Sequence, residues 1–438
     1  MFTLSFFWFL LNNYNHNLWY NVWSYGSDKM AYEMITLSSE EHDNFVKNHK
    51  YGELNQIYKW QFVKKGWIGK NIGIKKDGKL VGACLILLKK LPVLPYYFAY
   101  APKGPVIDYE NKDDLKSTIQ ILKDFCKQNK VFSLKFDPQV SVEIDGLIDY
   151  LKELGCYHHG LKKGLEYNQP RYYMITDIDK SEKEVMNSFQ SRTKSVVKKS
   201  LKNGLVCKRC DKNELSKFSK LMEITAKRDE FNHRSHEYFE NLYDVLNPDD
   251  DCELYLTKLI PSSVKKSNED ELDQIDKQEL KTKNKLEKDI TEEKKNNFLK
   301  ELDVLDNRRK RCKDLIEQMN GYIENDVEEI VLSGALLTFC GKKSYYLYGA
   351  SSNDFRDLSP NYLMQWTMMK RAIEKGCTSY DFGGVSGYTP EDNVEDHEAG
   401  LYEFKKRFGT EMIATIGEFD IVFNKFINKL FEFALKHR

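Results

Sequence analysis

One pattern occurs twice along the chain, and it limits the fold more than any other feature. The first copy reads KLVGACLILLKK (79–90), YYFAYAPKGPV (96–106), DDLKSTIQILKDFCKQNK (113–130) and VFSLKFDP (131–138). The second reads EIVLSGALLTFCGKK (329–343), SYYLYGASS (344–352), NYLMQWTMMKRAIEKG (361–376) and CTSYDFGG (377–384). In each, a Gly-Ala strand precedes an aromatic strand, a helix with apolar residues at i, i+3 and i+4 follows, and a short strand ends in Asp137 or Asp381. Strand-like and helical spacing in alternation predict mixed α/β units. Asp381 stands in DFG, the tripeptide that holds magnesium in protein kinases, but the chain has no H-R-D loop and no Gly-rich loop entering a helix. The expectation is structural instead: Asp381 ends a strand, and the glycines turn the chain away from it.

Between the copies, residues 262–321 are dense in Lys, Glu and Asp, with no internal Gly and no Pro. Phe298, Leu302, Leu305, Arg309, Cys312, Ile316 and Met319 alternate spacings of four and three, a heptad seam with one charged interruption. Leu272, Ile275, Leu286 and Ile290 mark a weaker seam, and Asn296-Asn297 is the expected hairpin tip. Two antiparallel helices projecting from the body follow.

With 438 residues there is room for two or three domains. The 67 basic and 67 acidic residues cancel, so any attraction to nucleic acid or membrane must come from local patches. Nine cysteines at irregular positions, without a secretory context, suggest reduced thiols, and the single Cys207–Cys210 CxxC lacks a second pair, so no metal is expected. The apolar run through Leu11 is too short to span a bilayer and lacks signal-peptide flanks, so residues 1–29 read as an overlong start or a disordered extension.

No nucleophile elbow or Walker loop is present. Cationic residues beside aromatics are the chemistry on offer. RTKSVVKKSLKNG (192–204) sets Lys194 and Lys198 four apart on one helical face, suited to phosphate or simply solvated. NHRSHEYF (232–239) sets Arg234 and Tyr238 one turn apart; Arg234 grips phosphate there, or pairs with a local carboxylate while Tyr238 joins the core. GLYEFKKRFG (400–409) carries Lys405, Lys406 and Arg407 between Phe404 and Phe408, and one of these charges should point inward, where a desolvated lysine stabilises developing negative charge.

Together YAPKGPVID, LKFDP, RTKSVVKKSLKNG, HRSHEYF, YYLYGASS, YDFGG and GLYEFKKRFG resemble the Fem aminoacyltransferase family of peptidoglycan interpeptide-bridge enzymes, from about Gln56 to the C terminus. The inserted hairpin resembles the FemA and MurM branch, whereas the shorter FemX type lacks it. The resemblance implies an α/β fold of two acetyltransferase-like (GNAT) domains with mixed sheets, plus an antiparallel coiled-coil arm. The expected boundaries are 30–167 for the first domain, 168–259 with 322–438 for the second, and 260–321 for the arm, with the C-terminal end free to return to the first domain.

It also implies a cytoplasmic enzyme, at the inner membrane face if its acceptor is lipid-linked, that moves an amino acid from aminoacyl-tRNA to the stem-peptide amine of a UDP- or lipid-linked muramyl pentapeptide. Aminoacyl-tRNA is the co-substrate and no cofactor is implied. Carried over by motif, Lys64 in WQFVKKGW and Arg234 grip precursor phosphate, with Tyr238 beside them and Tyr348 in the pocket. Lys405 falls on the lysine of acyl transfer. Asp137 and Glu418 (in TIGEFD) line the cleft, Asp137 as candidate base. Lys194, Lys198 and the Lys-rich hairpin would touch tRNA, and the hairpin could instead be a homodimer contact. Two rivals remain. An acetyl-CoA-dependent acyltransferase would need a pyrophosphate loop that the chain lacks, and a non-catalytic tRNA- or envelope-binding protein would be expected to lose Lys405 and the paired phosphate grips.

Overall fold

The computed structural model describes residues 31–92, 94–165, 169–288, 291–392, 394 and 398–436, so the expectations for residues 1–29 and for Ile290 lie outside the described residues. The repeated pattern folds as two sheets. The first contains β1 (Tyr32–Thr36), β2 (Ile68–Lys76), β3 (Lys79–Lys90), β4 (Tyr97–Ala101), the two-residue β5 (Val106–Ile107), β6 (Val131–Phe136) and β7 (Tyr157–His158). The second contains β8 (Tyr172–Asp177), β9 (Leu205–Cys210), β10 (Cys252–Leu259), β11 (Ile330–Cys340), β12 (Lys343–Ser351), β13 (Ser379–Val385) and β14 (Glu411–Ala414). A final strand, β15 (Phe419–Val422), returns to the first sheet.

The strand orders match position for position: β1-β2-β3-β4-β6-β15-β7 against β9-β10-β11-β12-β13-β8-β14. In each copy an antiparallel pair (β3–β4, β11–β12) is followed by a parallel pair across a helix (β4–β6 over Lys112–Gln128, β12–β13 over Pro360–Glu374). The sixth position of each sheet is filled reciprocally. The chain leaves β7 to supply β8 to the second sheet, and leaves β14 to supply β15 to the first.

Local sequence explains the elements. The helix Lys112–Gln128 starts where the Asn111 side chain accepts a bond from the Asp114 amide, and Asp113 and Asp114 complement its N-terminal dipole. Its buried face is Leu115, Ile119, Leu122 and Cys126, packed with Phe136 of β6 and Phe419 of β15. A further core is shared by both halves and joins Val46, Trp60, Leu85 and Leu87 to Phe218, Phe239, Leu254 and Leu336. Ion pairs seal the same junction: Lys47 Nζ lies 2.7 Å from Asp251, and buried Glu53 receives Lys343 Nζ (2.6 Å) and the Tyr345 hydroxyl (2.9 Å).

Two expectations change. β13 does not end at Asp381; only its pairing with β12 ends there, and pairing with β8 resumes at Gly384 after one extra residue. Gly383, at φ 80°, supplies the left-handed backbone of that bulge. The hairpin forms as two helices, Pro261–Leu286 and Glu292–Glu324, but its turn lies before Thr291, and Asn296 and Asn297 sit inside the second helix. Thr291 followed by Glu292 and Glu293 is the stronger start signal, a cap-type residue ahead of an acidic first turn. The seam holds: Ile275, Leu305, Cys312 and Met319 are buried, and the interrupting Arg309 pairs with Asp276 (2.8 Å) and Glu279 of the facing helix.

Candidate functional site

Strand register places Leu87 beside Tyr100, Tyr100 beside Lys135, and Lys135 beside Asp420. Paired residues share a face, so these four form a row across the first sheet. At one end of the row opens a pocket of about 480 Å³, lined by Lys64, Trp67, Leu87, Tyr100, Arg234 and Tyr238 among others. Lys64 follows directly on the short helix Trp60–Val63 and lies 5.5 Å from the Trp60 ring. Arg234 precedes Ser235, which caps the helix His236–Leu246 by accepting a bond from the Tyr238 amide, and its guanidinium stands 5.3 Å from the Tyr238 ring.

Burial pushes the Lys64 ammonium below its ordinary value, and the Arg234 charge pushes it further. Glu237 stands exposed on the rim, held low by the Ser235 hydroxyl; among the described residues no carboxylate forms an ion pair with Lys64 or Arg234. Two cations in one concavity, neither paired with a carboxylate, make a candidate anion site. Beneath them the hydroxyls of Tyr238 and Tyr348 lie 3.2 Å apart.

Beyond Tyr100 the site turns inward. Asp137 follows β6 and accepts bonds from the Tyr100 hydroxyl (2.9 Å), the Lys103 amide (3.0 Å) and Lys103 Nζ (2.6 Å). Lys103 sits at φ 54° in a loop packed so tightly on Gln56 that a Cβ on Gly104 would lie 2.5 Å from the Gln56 amide carbon. Its ammonium also donates to the Tyr173 hydroxyl of β8 (2.8 Å), which links the halves. Burial alone would lower the Lys103 ammonium, but the Asp137 charge outweighs it and holds Lys103 above its ordinary value. Burial pushes the Tyr173 phenol up to about 12.

Asp381 occupies the matching place in the second half. It accepts bonds from the Gly383 amide (2.6 Å) and Gln139 Nε2 (3.2 Å), and burial pushes its carboxyl up to about 6. From the other side of the bulge, Lys405 Nζ donates to the Gly384 carbonyl (2.7 Å). Burial lowers Lys405 to about 8, with the Asp381 charge opposing. A nearly enclosed lysine that titrates near neutrality, on a backbone bulge, can carry positive charge to a developing oxyanion.

Farther along the row, Lys135 Nζ donates to Glu418 (2.7 Å) and lies 3.6 Å from Asp420, whose other oxygen is 2.8 Å from His159 Nε2. Burial would lower Lys135, but Asp420 and Glu418 outweigh it. Lys194 and Lys198 stand apart from the pocket on the helix Ser191–Lys202, whose inner face is Thr193, Val197 and Ser200.

The structure therefore brings Lys64, Arg234 and Tyr238 to one pocket with Tyr348 beneath, buries Asp137 and Lys405 outside its lining, and leaves Glu418 half-buried against Lys135. Asp137 as a free base is corrected: three donors occupy its carboxylate, which makes it the anchor of Lys103. The sequence reading missed Lys103, Tyr173 and Gln139, and gave Asp381 only a structural part. The one local signal for Lys103 was its place between Pro102 and Gly104-Pro105, where a cation stands on a constrained turn.

A model of the FemAB family matches residues 37–436. Lipid II:glycine glycyltransferases of Staphylococcus aureus strains MSSA476 and USA300 are 43% and 42% identical to the chain over 407 residues, 91% of this chain and 95% of theirs. A crystal structure of FemX is 41% identical, with a TM-score of 0.75, and covers 91% of this chain and 99% of its own. The hairpin had pointed to the FemA and MurM branch; this solved likeness carries the FemX name.

Proposed function

The chain belongs to the FemAB family, and from that premise we propose that it transfers glycine from glycyl-tRNA to the stem-peptide amine of a lipid-linked peptidoglycan precursor. It is a transferase, and the relatives named for lipid II and glycine supply the acceptor and donor of this reading. The observation that carries it is the unpaired cation couple, Lys64 and Arg234, opening onto the sheet face that leads through Tyr100 to Asp137. A pyrophosphate fits that couple. Tyr238 orients it, and the stem peptide extends along the row toward Glu418 and Asp420, whose charges suit an ammonium.

The amine attacks the ester carbonyl, a C–N bond forms, and the tetrahedral oxyanion collapses as the ribose oxygen leaves with the proton the amine gives up. The ester is already activated, so positioning and charge stabilisation suffice and no cofactor is required. Lys405 donates to the oxyanion, a contribution of about 3 kcal/mol, roughly a hundredfold in rate. Burial lowers the Lys405 ammonium, and the charges of Asp381 and Glu398 oppose that fall.

Label transfer from a mixed pool of charged tRNAs to UDP-linked and lipid-linked muramyl pentapeptide tests this. The expected result is labelled glycine on the lipid-linked acceptor, reduced roughly a hundredfold in Lys405→Ala. Transfer to neither acceptor, with tRNA still bound, would favour a binding protein on the same scaffold.

A further inference from the structure

The helix Lys425–Lys436 packs on the first sheet through Ile427 and Phe431. Phe431 stacks on Phe98 (5.1 Å between centroids) and meets Phe132 edge-on (5.3 Å). Phe98 in turn touches Trp67 (6.2 Å), which lines the pocket of Lys64 and Arg234. The helix is thus two aromatic rings from the anion site.

A second apolar stripe of the helix lies outside that inner face and is exposed. Phe426, Leu430 and Phe433, spaced four and three, are 72%, 49% and 64% exposed. A helix on an aqueous surface carries polar residues there. Lys425 and Lys429 are exposed beside the stripe, and residues 425–438 hold three Lys and one Arg against one Glu. Lys89 is exposed and lies 5.9 Å from the Trp67 indole, and Lys65 is exposed on the pocket rim.

We propose that Phe426, Leu430 and Phe433 lie in the headgroup–acyl boundary of an anionic bilayer, with the helix parallel to the surface. That placement holds the Lys64–Arg234 pocket at the height of a lipid-linked pyrophosphate. The inference rests on the lipid-linked reading above. Large apolar side chains bordered by lysines are what an interfacial helix needs, and anionic headgroups complement its charge. A second copy of the chain fits less well: three side chains fall far short of the roughly 800 Å² per partner of a stable interface, and the lysines would face lysines. Among the described residues no helix is long and apolar enough to cross a membrane, so contact along the surface is what the described helices can offer.

The test uses the full chain and vesicles of phosphatidylcholine with or without phosphatidylglycerol. Wild type should sediment with the anionic vesicles, Phe426→Glu/Leu430→Glu should lose roughly a hundredfold in partition, and Lys425→Ser/Lys429→Ser roughly tenfold. Both variants should unfold at the wild-type temperature, because the altered side chains are exposed. Transfer to the acceptor in detergent micelles should stay within about twofold, while transfer to the same acceptor in vesicles falls with partition. Wild-type partition in the Phe426/Leu430 variant, or no sedimentation of wild type, would overturn the proposal. So would a variant whose only change is loss of a dimer. If wild type transfers to no acceptor but the partition difference stands, the function reading fails and the membrane face survives.

Discussion

The two halves of this molecule share a strand order position for position, yet they use the same place differently. In the first, the aspartate after the crossover strand, Asp137, is closed into an ion pair with Lys103 at 2.6 Å. In the second, Asp381 is held by a backbone amide and Gln139, and the neighbouring Lys405 turns its ammonium to the Gly384 carbonyl. The two carboxylates are buried alike, Asp137 against a cation and Asp381 against neutral donors, and burial pushes the Asp381 carboxyl up to about 6. Duplication supplied the geometry twice, and the partner residues decided which copy became rigid and which became chemically adjustable. Fold and function separate here within a single chain.

The largest expected effect tests the rigid half. Asp137→Ala strands the Lys103 charge in the interior and should cost about 3–5 kcal/mol, read from the urea midpoint at unchanged slope. Asp381→Asn keeps an acceptor for the Gly383 amide, lets Gln139 turn its amide oxygen to the new NH2, and removes a carboxylate that burial disfavours, so it should cost less than about 1 kcal/mol. Equal losses would break the comparison. A smaller effect sharpens the division between binding and chemistry: Lys64→Ala or Arg234→Ala should raise KM for the pyrophosphate-bearing acceptor by roughly tenfold or more with kcat unchanged. Against an acceptor lacking the pyrophosphate the same variants should match wild type. The smallest belongs to Lys194→Ala/Lys198→Ala, which should raise KM for charged tRNA about threefold at low salt and not measurably at high salt.

Long periodic segments made much of this legible in the sequence. The two β-β-α-β units span enough residues for their periods to show, and the seam through Leu305, Cys312 and Met319 is sustained over several turns. Lys64, Arg234 and Tyr238 were legible because each sits in a compact motif. The reciprocal exchange was not: β7 has two residues and β14 and β15 four each, too few to show a period. The Asn296-Asn297 tip failed because the pair, exposed in the helix, is outweighed by the earlier start at Thr291 with its acidic first turn. Lys103, Asp137 and Tyr173 meet across 34 and 70 residues of chain, and nothing local announces such a contact.

The most direct test of the central claim, that the second half holds the adjustable site, is the pH profile of single-turnover transfer. In its proposed role Lys405 must be protonated to receive oxyanion charge, and burial lowers it to about 8, so the rate should fall as pH rises through that value. The Asp381 charge raises Lys405, so removing it in Asp381→Asn should move the falling limb to lower pH, whereas Lys103→Met/Asp137→Leu, which removes the first-half pair together, should leave the limb in place. A limb at the same pH in wild type and Asp381→Asn, or one that moves upward, would contradict the account.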